Sequence, residues 1–170
     1  DSLVPYVAEN KEGKHTMYFD GNRNGFVAVA SQSIHSPDDH AVIRLSVRQN
    51  SDSTFEVLYE EWPMDEQLLL TTGNPLPFNK PMTLFKSVTN PAFEYFGTPT
   101  MEERLAEDGI EQAPPRWTQN FDGVEAGITP IKIRLNFDTE SGRYEMPANF
   151  AFSPSGLLSR YQTGEDDCNC

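Results

Sequence analysis

Apolar residues in this chain recur at every second position. In HAVIRLSVRQ, Ala41, Ile43, Leu45 and Val47 alternate with Val42, Arg44, Ser46 and Arg48. In TFEVLYEEW, Phe55, Val57 and Tyr59 share one side, with Leu58 and Trp62 on the other. TPIKIRLNF is the clearest case, with Ile131, Ile133, Leu135 and Phe137 opposed to Lys132, Arg134 and Asn136. Such a period describes strands with one buried and one wetted face, hence antiparallel sheet. It predicts further strands over residues 16–19, 26–31, 68–71, 82–88, 92–96 and 144–152, and Pro147 demotes the last to a sheet edge or a bulge.

Turn chemistry separates these runs. NSDS joins the strand ending near Gln49 to the one beginning near Thr54, and DTESG, with a permissive Gly142, joins Phe137 to Arg143. One helix signal stands apart: TPTMEERLAEDG offers Thr100 as N-cap, Glu103 three residues later, and Gly109 as the stop. It lies in a connection over residues 98–128 that lacks strand alternation, and connections of that length are commonly functional loops. Three prolines favour extended backbone in TGNPLPFNKP. The opening DSLVPYV places Leu3, Val4 and Val7 at helical spacing, so residues 1–10 read as the stub of an N-terminal helix. The expected fold is α+β, one domain over residues 1–170: two packed, mainly antiparallel sheets, the helix remnant, a short helix in the long loop, and an acidic tail at 161–170.

Composition narrows the function. The 13 Lys and Arg face 26 Asp and Glu, a net charge of −13. No basic stripe of the kind that binds phosphate backbones is present, so nucleic acid is excluded as a partner. With 37% hydrophobic residues the chain is ordinary globular material. The 2 cysteines, Cys168 and Cys170, sit in the terminal DDCNC. A bridge between them would be strained, and a zinc site would need ligands that the neighbourhood does not offer.

Several stretches suggest chemistry and are better explained as structure. DGNRNG, from Asp20, matches the first half of a calcium loop, but its twelfth position is Ser31 and its flanks are strand-like. A hairpin built on Asn24-Gly25 accounts for the same residues. HSPDDH gathers His35 and His40 with Asp38 and Asp39, and it also carries the signature of a turn. His15 stands alone. Glu60-Glu61 and Asp65-Glu66 are neighbouring carboxylates, but adjacent strand residues face opposite ways and cannot flank one bond. Trp62 and Trp117 offer sugar-stacking surfaces, though large aromatics of β proteins more commonly fill cores. No catalytic, cofactor-binding or metal-binding set is assigned, and the expectation is a protein that is not an enzyme.

Taken in order, LVPYV, MYFDGNRNGFVAVAS, HAVIRLSVRQ, FEVLYEEWP, MTLFKSVTNPAFEYFG, RWTQNF and TPIKIRLNF resemble the globular part of the J-type minor pseudopilins of type II secretion systems. In that family a helix tail leads into a hairpin, and a strand pair ends near Trp-Pro, here Trp62-Pro63. A segment matching Leu84, Val88, Phe93 and Tyr95 follows, then a tryptophan ahead of a proline-led strand, here Trp117 and Pro130.

The resemblance implies an α+β, pilin-like fold, and a periplasmic domain anchored in the inner membrane by an apolar N-terminal helix. It also implies partnership with I-type and K-type minor pseudopilins in the pilus tip complex that primes assembly and protein export. The N-terminal stub and the prolines of residues 73–81 are then expected near the partner surface. The alternatives are a minor type IV pilin, a secreted β-sandwich module binding carbohydrate through Trp62 or Trp117, and a periplasmic hydrolase using the His35–His40 region.

Overall fold

The computed structural model describes residues 3–35, 37–64, 69, 71–72, 75–104 and 113–150. In chain order the elements are β1 (Leu3–Val4), β2 (Val7–Glu9), β3 (His15–Met17), β4 (Asp20–Asn22), β5 (Gly25–Ala30), β6 (Ala41–Gln49), β7 (Phe55–Pro63) and β8 (Met82–Gly97). Then follow α1 (Met101–Arg104), β9 (Arg116–Thr118), β10 (Phe121–Asp122), α2 (Gly123–Ala126), β11 (Lys132–Thr139) and β12 (Gly142–Asn149).

Among the described residues twelve strands stand against two four-residue helices, which overturns the α+β, pilin-like expectation: the domain is an antiparallel β structure curled into half a barrel. Nor are there two packed sheets. One sheet runs β10-β4-β5-β6-β7-β8-β11-β12, with β1 added to β5 and β9 to β8, and β2-β3 form a separate hairpin. The reason lies in β8. Its first half pairs with β7 and its second with β11, so one strand belongs to both walls. It turns the corner where Ser87 (φ 54°) and Asn90 (φ 51°) leave the extended region. Two strands, 82–88 and 92–96, were expected there; the gap between them marks the bend.

The expected helix stub is also strand. Leu3 pairs with Ala30 and Val4 with Val29, and Leu3 meets Phe150 in a parallel bridge that draws β12's end of the sheet toward β5. The spacing of Leu3, Val4 and Val7 suggested a helix, because a strand wet on one face does not carry apolar residues at adjacent positions. Here both faces of β5 are covered: Leu3 joins the concave core and Val4 a second cluster on the convex side.

The concave core stacks Phe19, Phe26, Phe93, Tyr95 and Phe121 in stacked and edge-to-face contacts 5.6–5.9 Å apart. The convex cluster gathers Val29, Val42, Met64 and Leu69 with Tyr18, Trp62, Leu76 and Phe78. Val42, assigned to a wet face by alternation, is therefore fully buried. Ile131, expected in the core, precedes β11 and is exposed.

The connection over 98–128 is not strand-free: β9 extends the edge of β8, and β10 pairs with β4. Thr100 does cap α1, its hydroxyl accepting the Glu103 N–H at 3.2 Å. The expected stop at Gly109, the pair Asp65-Glu66, Leu68 and the tail with Cys168 and Cys170 lie outside the described residues. β12 is an edge strand holding Pro147, as alternation and proline chemistry predict. Among the described residues no helix is long and apolar enough to cross a membrane.

Candidate functional site

β7 places Glu60 and Glu61 on opposite faces, as their adjacency requires. Glu61 points into the concave side and is fully buried. Its carboxylate accepts the Tyr59 hydroxyl (2.6 Å), the Ser33 hydroxyl (2.8 Å) and the backbone N–H groups of Ile34 and His35 (2.9 Å each), and it also contacts the His35 ring at Nδ1. Burial by itself would raise the Glu61 pKa. The hydrogen bonds from Tyr59, Ile34, His35 and Ser33 outweigh it and hold the group at about 2. Burial and the neighbouring carboxylate push the Tyr59 hydroxyl the other way, well above its ordinary range. Glu61 thus pins the loop between β5 and β6 across the end of the core.

This explains HSPDDH. His35 turns into Glu61, whereas His40 gives its carbonyl to the Met64 N–H and Asp39 its carbonyl to the Ser33 N–H. The motif is loop architecture, and among the described residues no three His, Cys, Asp or Glu are placed to hold a metal ion. DGNRNG folds as a hairpin: Asn22 pairs with Gly25 across a turn at Arg23 and Asn24, with the Asn22 side chain accepting the Asn24 N–H at 2.8 Å. The turn sits one residue earlier than the Asn24-Gly25 dipeptide suggested.

The convex face presents a different arrangement. The registers of four strand pairs align Asp122, Asp20, Val27, Arg44 and Glu60 in one row across five strands. Residues directly opposite in antiparallel strands share a face, so this row forms a floor. Above it lies a cleft of about 550 Å³, walled by Tyr18, Pro75, Leu76, Phe78 and Val124. Burial, and then the charge of Asp122, raise the Asp20 pKa. Burial, and then Asp20, push the Tyr18 hydroxyl up to about 12. From residues 73–81, expected near a partner surface, Pro75, Leu76 and Phe78 supply one wall; Gly73 and Asn74 lie outside the described residues.

The tryptophans divide. Trp62 packs into the convex cluster, but Trp117 is not core: it stays 37% exposed. Arg134 lies over its ring at 4.0 Å while bonding to Glu94 at 2.8 Å and Glu145 at 3.1 Å, and Phe96 stands 5.3 Å away. Sequence reasoning placed Trp117 in a core because it could not see that β9 would lie on the sheet's outer edge. It also missed Asp122 and Tyr18, which no local motif marks.

No protein-family model, curated protein or solved structure matches this chain.

Proposed function

We propose that the domain works by docking to other proteins, as an assembly subunit of a pilus-like export apparatus, with the convex cleft as part of its docking surface. The observation that carries the docking role is the cleft: apolar walls stand over a floor whose acidic end is paired with no cation among the described residues. Glu61, a strongly perturbed carboxylate of the concave side, has its oxygens engaged by internal donors, which suits a structural tether rather than a reacting group. The export role rests on the order of motifs shared with J-type minor pseudopilins. The strand at residues 3–4 and the single half-barrel sheet both depart from the α+β pilin-like fold which that likeness implies, so the export role rests on the order of the sequence motifs alone.

On this reading the partners are I-type and K-type minor pseudopilins, met in the periplasm, with the inner-membrane anchor supplied by sequence upstream of residue 1. A glycan platform has less support, because Arg134 occupies one face of Trp117 and Trp62 is packed between side chains. The test mixes the purified domain with soluble I-type and K-type domains encoded alongside it and follows co-elution by size exclusion with light scattering. A stable complex is expected. Separate elution at micromolar concentrations, together with an upstream reading frame lacking an apolar segment of about 20 residues, overturns the export role.

A further inference from the structure

The two ends of the convex row differ in a way that specifies an occupant. At one end Arg44 donates to both oxygens of Glu60 at 2.7 Å and lays its guanidinium over the Phe78 ring at 4.3 Å. Its charge is matched and its face is covered. At the other end Asp20 and Asp122 stand opposite each other on neighbouring strands. Among the described residues no cation pairs with either, and Asp122 gives one oxygen to the Val124 N–H at 2.7 Å as the cap of α2.

Like charges facing each other across an antiparallel pair oppose that pairing, so the free domain holds an arrangement that a cation would relieve. A calcium ion takes about six to eight oxygens, and beyond these carboxylates the side chains lining the cleft offer only the hydroxyls of Tyr18 and Thr72. A guanidinium, planar and carrying several donors, suits two carboxylates at once and tolerates apolar surroundings better than an ammonium. The volume lies within the roughly 300–1,000 Å³ of small-ligand clefts, enough for one long side chain and part of its neighbours.

We infer that the cleft receives an arginine side chain from an aliphatic segment of the partner protein, its guanidinium between Asp20 and Asp122 and its flanking residues against Leu76, Val27 and Val124. The inference rests on the docking role proposed above and names the chemistry by which the partner is recognised.

The test uses the isotope-labelled 170-residue chain, followed by amide NMR while Ac-Leu-Arg-Leu-NH2 is added to about 5 mM, several times a millimolar dissociation constant. The comparison peptide carries citrulline, which keeps the shape and removes the charge. Shifts are expected at residues 18–20, 27, 76–78 and 122–124. Binding should fall about tenfold with citrulline and in Asp20→Asn, the loss of one charged hydrogen-bond partner, and should weaken in high salt. Asp122→Asn retains a capping side chain and removes one of the two facing charges, so binding should fall as in Asp20→Asn while the melting temperature does not fall, which separates lost binding from lost fold. Equal affinity for the two peptides, shifts elsewhere, or no shifts at 5 mM overturn the inference. A tip complex that still forms in Asp20→Asn overturns it as well while leaving the docking role standing; peptide binding without any I-type or K-type complex does the reverse.

Discussion

Replacing Glu61 with glutamine removes the charge at the hub of the concave polar cluster while keeping its volume. Four donors with ordinary hydrogen-bond distances converge on the carboxylate: two hydroxyls and two backbone N–H groups. Glutamine supplies one acceptor oxygen; its NH2 can donate to the Tyr59 or Ser33 hydroxyl but leaves the Ile34 or the His35 N–H without an acceptor. The gap between about 2 in the folded domain and the ordinary 4.5, at about 1.36 kcal/mol per pH unit, corresponds to about 3 kcal/mol. Leaving one buried backbone N–H without its acceptor independently suggests about 1–3 kcal/mol.

The sign follows from the depressed pKa. The stabilisation is fully present above pH 4.5 and fades as pH falls toward 2, where the folded group also becomes protonated. Urea unfolding of wild type and Glu61→Gln should therefore differ by about 3 kcal/mol at pH 7, or roughly 6–12 °C in melting temperature for a chain of this size. The difference should shrink steadily below pH 4.5. A variant within about 0.5 kcal/mol of wild type at pH 7, or a gap that does not change with acid, would refute the tether.

Other substitutions probe other parts of the fold. A Cβ at Gly25 would lie 2.2 Å from the Leu45 carbonyl oxygen, so Gly25→Ala must part β5 from β6 at a cost of about 1–3 kcal/mol, read as lost thermal stability; an unchanged melting curve contradicts the close approach. Asp20→Asn should slightly stabilise the free domain at neutral pH, because a raised carboxyl pKa disfavours the ionised form in the fold. That gain should vanish below the ordinary 3.8, and destabilisation at pH 7 would show Asp20 to be paired in solution. Trp117→Ala removes the ring under Arg134 and should cost about 1 kcal/mol, with the lost fluorescence being the fraction that iodide quenches; an unquenchable Trp117 would place it in a core after all. Pro147→Thr adds an edge-strand N–H at a position opposite Arg134 and should promote concentration-dependent association by light scattering.

Much of the sheet was legible because strand alternation is a local signal. β6, β7 and β11, the edge position of β12 and the cap of α1 could be read from spacing, proline and capping chemistry alone. The separation of Glu60 from Glu61 followed from the pleat. Errors arose where burial on the second face removed the contrast on which periodicity depends. Val42 lies at the end of β6 that is covered on both sides, and Leu3 and Val4 are covered on opposite sides, so the polar half of the pattern is missing at those positions.

What the tertiary structure alone decided is register and curvature. The polar hub needs Ser33 and His35 brought back onto Glu61, 26 to 28 residues later. The acidic end of the cleft needs Asp20 set opposite Asp122 across an intervening chain of a hundred residues and more, through a pairing that no local spacing announces. Local alternation records which side of a strand is apolar. Which strand lies beside it, and which charges thereby meet, depends on long-range pairing and on a single bend in β8.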